Sequence, residues 1–233
     1  MYKDYNDIVD VKLVSYSQAS PEFYQLSQSG DEITNLITYC ARVSNPSNQN
    51  NLDTSEKLLN YLIKNKHWSP FEMVNVCLEI TTTRDIARQI LRHRSFSFQE
   101  FSQRYADPTK ELEFCIREAR SQDPKNRQNS LETVDLTISS HWYLIQETTI
   151  DNAIENYRYA IKKGIAKEVA RAILPEGNTV SRMYMNGNLR SWIHYIEVRE
   201  KNGTQKEHMM IANECAKVIS EIFSPINKIE EKV

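Results

Sequence analysis

"VNVCLEITTTRDIARQILRHRSFSFQEFSQRYAD", residues 74–107, changes its hydrophobic period partway along. Val74, Val76, Leu78 and Ile80 alternate with Asn75, Cys77 and Glu79, the period-2 pattern of a half-buried strand. From Thr83 to Arg94 the spacing becomes helical: Ile86, Ala87, Ile90 and Leu91 make an apolar stripe, and Arg84, Arg88 and Arg92 share another face. Beyond it Arg92, His93, Arg94 and Arg104 are threaded between Phe96, Phe98, Phe101 and Tyr105, so cations lie in chain that must itself be partly buried. A buried cation without a partner is costly, and an anion with several oxygens suits the planar donor fork of arginine.

Working outward, residues 9–16 read as a strand and residues 31–44 as a helix. A helix over 54–67 is expected to deliver His67 at its C-terminal end. "LEFCIREAR" (112–120) reads as a strand, 121–130 as an exposed loop, and about 131–163 as a long helix ended by Gly164. A short helix over 166–175 stops at Pro175, residues 179–188 read as a strand and turn, and 189–199 as a helix with Leu189, Trp192, Ile193 and Ile196 on its apolar face. Arg190 and His194, four apart, share a different face. A last helix at roughly 205–223 precedes a polar tail from about 224, and no domain boundary or repeat interrupts residues 1–233, so a single domain is expected.

Composition narrows the function. Lys plus Arg (29) nearly balances Asp plus Glu (31), a net charge of −2 that argues against a protein whose main business is coating nucleic acid. Cys40, Cys77, Cys115 and Cys215 are dispersed without a C-x-x-C pair, which disfavours a zinc site and a disulfide scaffold and fits a reduced, cytoplasmic protein. The polar N-terminus lacks the pattern of a signal peptide, and no apolar run is long enough to span a bilayer. The five glycines are too scattered for a phosphate-binding loop, so side chains must hold any phosphate.

"RHRSFSFQEFSQRY" (92–105) resembles the signature of the flavin-dependent thymidylate synthases, an R-H-R followed after seven residues by Ser, here Arg92, His93, Arg94 and Ser102. "ARVS" (41–44), "HWSPFE" (67–72), "ARQILRHR" (87–94), "EVARAILP" (168–175) and "NLRSWIHYIEVR" (188–199) each resemble a segment of that family in order and spacing. Taken singly, His67 could be a helix C-cap residue, Arg171 a surface charge and Asn188 a helix cap; their joint occurrence carries the resemblance. "NGTQ" (202–205) departs from the family's S-H-A-Q, with Gly203 where a flavin-contacting histidine is often found.

The resemblance implies an α+β fold, a twisted, largely antiparallel sheet flanked by helices, and an enzyme that makes dTMP from dUMP. Methylenetetrahydrofolate is then the one-carbon donor, FADH2 the hydride donor and NADPH its regenerator, in a homotetramer whose active sites are shared between subunits, with no metal. Carried over by position, Gln89, Glu100, Ser102, Gln103, Arg104, Arg171 and Arg199 are the expected dUMP contacts. Ser44, Ser69, Glu72, Arg92, His93, Arg94, Ser95, Asn188, Arg190 and His194 are the expected FAD contacts. Arg199 is expected to face the uracil, Ser102 to donate a hydrogen bond rather than attack the ring, and His67 to take a catalytic or folate-side role. A cytoplasmic RNA- or single-strand-binding module built on residues 92–105 is the alternative, against which the near-neutral charge counts.

Overall fold

The structure, a computed structural model, describes residues 2–28, 31–132, 135–201 and 203–226. In chain order its elements are β1 (Lys3–Asp4), α1 (Tyr5–Ile8), β2 (Asp10–Tyr16), α2 (Glu32–Ala41), α3 (Ser55–Lys64), β3 (Asn75–Thr83) and α4 (Arg84–Ile90). β4 (Ser97–Glu100), α5 (Pro108–Glu111), β5 (Cys115–Ile116), β6 (Arg120–Gln122) and β7 (Ser130–Glu132) follow. The chain continues through α6 (Leu136–Lys162), α7 (Lys167–Ala170), β8 (Val180–Asn188), α8 (Leu189–Arg199) and α9 (Lys206–Ser220).

The centre is an antiparallel sheet in the order β2-β3-β8-β4. β3 and β8 pair along their whole lengths, from Asn75 opposite Asn188 to Thr83 opposite Val180. Their alternation places Val76, Leu78 and Ile80 beside Met183, Met185 and Gly187 on one buried face. Helices α8 and α9 close that face, with Trp192, Tyr195, Ile196, Ile211 and Ile219 in the same core. Trp192 is tied in by its indole N–H, which donates to the Val76 carbonyl at 3.0 Å. A second, smaller core joins α6, through Ile150, Ala153 and Tyr157, to Phe114, Ile116 and Leu174.

The fold is α+β as expected, but several boundaries differ. The helix read over 83–94 stops at Ile90, so Arg92, His93 and Arg94 lie in a turn and Arg92 leaves the helical face of Arg84 and Arg88. Residues 97–100 form an edge strand beside β8. Of the strand read over 112–120, Cys115–Ile116, the single bridge from Phe114 to Thr179 and the end at Arg120 are paired, and the loop read over 121–130 runs through the tip of the β6–β7 hairpin. The long helix begins only at Leu136, where the Asp135 carboxylate accepts from the backbone N–H of Thr137 and Ile138. The charged tail lies, from residue 227, outside the described residues.

The strand and turn read over 179–188 is strand to its end: β8 runs straight through to Asn188. Gly187 is required there by packing, because a Cβ would meet the Phe96 ring at 2.4 Å, and that ring is itself wedged edge-on against Trp192 at 4.8 Å. Gly187→Ala is therefore expected to lower stability by about 1–3 kcal/mol, the usual cost of overpacking a filled core. Phe96→Leu introduced into that variant should recover part of the loss in thermal melts, and a double variant no more stable than Gly187→Ala would disprove the contact as the cause.

Candidate active site

Helix α8 builds the main cavity. Its N-terminus is capped by Asn188, whose side-chain oxygen accepts from the Ser191 N–H at 2.9 Å. Helical spacing then puts Arg190, His194 and Glu197 on one face while Trp192 and Ile196 face the core. Together with Trp68, Glu72 and Ser95 they line a cavity of about 660 Å³. The expected FAD contacts Glu72, Ser95, Asn188, Arg190 and His194 thus meet in one place, and Asn188 serves as helix cap and wall at once. Arg190 and Glu72 form an ion pair across it. Ser69 opens the short helical turn 69–73 that carries Glu72.

Arg92 and Arg94 are exposed, and among the described residues neither has a carboxylate within ion-pair reach. The charge on α4 is answered locally instead: Glu100 accepts from Arg88 at 3.0 Å and from the Ser181 hydroxyl at 2.9 Å, with Arg84 at 3.5 Å. Arg171 lies near enough for its charge to help burial hold the Arg84 pKa down. Arg104 makes a solvent-exposed ion pair with Glu168, at 3.5 Å. Ser102 accepts a long bond from the Arg104 N–H at 3.4 Å, and Gln103 is buried with no partner among the described residues for its side-chain nitrogen.

Arg199 and Gln89 belong to two further hydrogen-bonded groups, which meet through the rings of His93, Tyr195 and His208. The Nε of Arg199 donates to His93 Nε2 at 2.9 Å, so His93 must be neutral there, and its ring packs edge-on against Tyr195 at 4.9 Å. Burial, reinforced by the charges of Arg199, His194 and Arg92, lowers the His93 pKa to about 4. His208, fully buried, bridges Gln89 and Tyr195, and burial with the nearby Arg199 and His93 takes its pKa down to about 3.

Ser44 lies apart from the main cavity. It lines a second one of about 520 Å³ with Arg42, Asn45, Lys57 and Tyr61. His67 borders that region through its ring, edge-on to Tyr61 at 5.8 Å. It is placed by a C-terminal turn and not by α3 itself: the His67 N–H reaches back to the Leu62 carbonyl and the Lys66 N–H to that of Ile63, with Lys66 at φ 56° where glycine is usual. Gly203 lines a third cavity with Arg120, Gln205 and Lys206. None of the cysteines is activated as a nucleophile: burial raises the pKa of all four, that of Cys115 to about 12.

Sequence reading missed Trp68, Ser191, Ile193 and Glu197 in the main cavity, and Tyr195, Gln205, Glu207 and His208 around Gln89. Glu197 was within reach of the helical period, seven residues beyond Arg190. The group around Gln89 had no local signal, because its members lie more than a hundred residues away in sequence.

Comparison with known proteins identifies the class. Residues 25–224 match the family described as thymidylate synthase complementing protein. The chain belongs to that family. It is 51% identical, over 83% of its length and 88% of the relative's, to a probable flavin-dependent thymidylate synthase of Paramecium bursaria Chlorella virus 1. It is 52% identical to the flavin-dependent thymidylate synthase of a Synechocystis species, covering 82% of this chain and 86% of that one. Its fold is shared with a UMP/dUMP methylase, PolB, from Streptomyces cacaoi bound with 5-Br dUMP, at a TM-score of 0.78 and 22% identity over 98% of this chain and 95% of that one.

The two depressed histidines make stability depend on pH. Both rings stay neutral in the fold but take up a proton near pH ~6.5 once unfolded. Their contribution is complete above about 6.5 and is lost as the pH falls towards 4 for His93 and 3 for His208. The melting temperature is expected to fall between pH 7 and 4.5, and to fall less in His208→Asn; equal falls in the two proteins would refute the assignment.

Proposed function

We propose that this enzyme converts dUMP to dTMP, with methylenetetrahydrofolate as one-carbon donor, FAD as its flavin and NADPH as the source of reducing equivalents. The observation that carries this reading is the meeting of Glu72, Ser95, Asn188, Arg190 and His194 around one cavity, five residues drawn from three separate family segments. Their donor set suits a flavin: a guanidinium for phosphate, an imidazole and an amide for the polar chain and ring edge, and the Trp68 side chain as an apolar wall. FAD, when bound, supplies the hydride chemistry that no protein side chain offers. Arg92 and Arg94, exposed and unpaired among the described residues, are the further cations available to it.

The nucleotide falls to the second set. Arg199 has its Nε committed to His93, which fixes the plane of the guanidinium and leaves the terminal nitrogens for a pyrimidine oxygen. From there it stabilises negative charge as the ring is activated. Arg104 and Arg171 take the phosphate; the exposed Glu168 contact that Arg104 gives up is worth little. The unpartnered amide nitrogen of Gln103 gains an acceptor, and Ser102 donates a hydrogen bond without attacking the ring. Glu100, tied to Arg84, Arg88 and Ser181, holds the end of β4 in place beside them. His67, whose ring borders the second cavity through Tyr61, takes the folate side, while Ser44, expected to touch FAD, lines that same cavity and not the main one.

Among the described residues the hydrogen bonds of Arg199 and Gln89 do not join those of Glu100 and Arg104, and a site completed by a neighbouring subunit in a homotetramer would bring the two sets together. The outer half of α6, with Leu136 81% exposed and Ile138, Leu144 and Ile145 also bare, supplies apolar surface for such an assembly. A cytoplasmic location fits a chain in which no described helix is long and apolar enough to cross a membrane. The single-strand-binding alternative finds no support: the arginines of α4 are engaged by Glu100 and do not extend the cationic stretch 92–104.

The purified protein is expected to take up FAD, to show a flavin absorbance spectrum, to melt at higher temperature with FAD than without, and to scatter light as four chains. Absence of both spectrum and thermal shift would remove the flavin assignment.

Arg199→Lys keeps the charge but loses the planar fork and the bond to His93. It is expected to reduce kcat/KM for dUMP by roughly 10²-fold or more while FAD uptake survives. Undiminished dTMP formation would exclude Arg199 from the mechanism. Mass spectrometry of the enzyme quenched during turnover should show no nucleotide attached to Ser102 or to a cysteine.

A further inference from the structure

Gln89 belongs to a buried chain of side-chain hydrogen bonds whose direction is set at one end. The Nη2 of Arg120 donates to Glu207 Oε1 at 2.5 Å, with the two side chains only 13% and 4% exposed. The other oxygen of Glu207 accepts from Gln205 Nε2 at 2.9 Å. A carboxylate paired with arginine has no proton to give, so Gln205 must turn its NH2 towards Glu207. Its Oε1 then accepts from Gln89 Nε2 at 2.7 Å. That leaves the Gln89 oxygen facing His208 Nδ1 at 3.2 Å, which makes Nδ1 the protonated nitrogen, and His208 Nε2 accepts from the Tyr195 hydroxyl at 3.1 Å. Burial keeps the Tyr195 phenol protonated, as the donor role requires.

Every link in this chain pairs a donor with an acceptor, and reversing either amide sets donor against donor or acceptor against acceptor. We propose that the Arg120–Glu207 ion pair fixes which way round the Gln89 amide faces, with Gln205 and His208 as positioning residues, and that the site thereby distinguishes uracil from cytosine nucleotides. The proposal rests on the reading of Gln89 as a dUMP contact. Gln89 is half-buried and, among the described residues, keeps one N–H and one oxygen lone pair uncommitted, so it presents a donor and an acceptor in a fixed order. Uracil offers an acceptor at O4 beside a donor at N3, whereas cytosine offers a donor at N4 beside an acceptor at N3. A locked amide matches one order and opposes the other; a freely turning amide accepts both.

The test measures Kd for dUMP and for dCMP by calorimetry on the full chain with FAD present. In Glu207→Gln, which keeps the shape but can donate or accept, the ratio of the two Kd values is expected to narrow about tenfold, chiefly through tighter dCMP binding. Gln205→Met, which keeps volume and breaks the chain, should narrow it likewise and stands in should Glu207→Gln fail to fold. A merely structural role would weaken both nucleotides together and leave the ratio alone; that result overturns the proposal. Gln89→Ala separates the two failures. Unchanged dUMP affinity in that variant takes Gln89 out of the nucleotide site, and with it this inference, whereas lost affinity together with an unmoved ratio in the other two variants rejects the anchor alone.

Discussion

The pairing of β3 with β8 is the constraint on which the rest depends. The two strands are in register over nine residues, and each runs without a linker into a helix: β3 into α4 at Arg84, β8 into α8 at Leu189. Because the strands are antiparallel, these helices begin at opposite ends of the pair. α4 then returns the chain to the end where α8 starts, and β4 adds to β8 with Ser97 opposite Asn186. That return brings Ser95 to the cavity wall beside Asn188 and sets His93 against Arg199. A slip of one residue in β3–β8 would turn Val76, Leu78 and Ile80 outwards, and their burial against Met183 and Met185 forbids it.

Once that pairing exists, the buried polar groups have to be satisfied within it. Arg117 illustrates how: it donates to both oxygens of Asp85 and to the Thr83 hydroxyl, at 2.6–2.8 Å, clamping the junction where β3 becomes α4. Tyr5, whose hydroxyl is bonded to Thr82 at 2.6 Å, places its ring under the same guanidinium. Such links stabilise little on balance, yet leaving any one partner alone in the core is costly. They rigidify the strand–helix junction from which Gln89 and His93 project.

What could be read in the sequence was whatever is local. The period of 74–83 announced a strand, the spacing of Arg190 and His194 announced a shared helical face, and Gly164 marked the end of the long helix, where it adopts φ 80°. Tertiary demands were not legible. The glycine in "NGN" (186–188) reads as a turn residue, but it serves the Phe96 ring from another strand. Residues 97–100 alternate over too few positions to announce a strand until β8 is there to receive them. Of the candidate site, the members carried by contiguous motifs were found, whereas Gln205, Glu207 and His208 depend on the docking of α9 and on contacts spanning 87 to 119 residues.

The ion pair between Arg190 and Glu72 gives the main cavity an internal counter-ion. Its cation is therefore already neutralised, and an arriving anion must exchange with a carboxylate rather than simply settle on bare charge. Geometry bears on such an exchange: a monatomic ion has no pair of oxygens to match the guanidinium fork, whereas a phosphate has. The carboxylate set free becomes an acceptor for hydroxyls on the same guest. The cavity thus meets whatever enters it with a paired cation and carboxylate, a donor fork and an acceptor held side by side, rather than with bare positive charge.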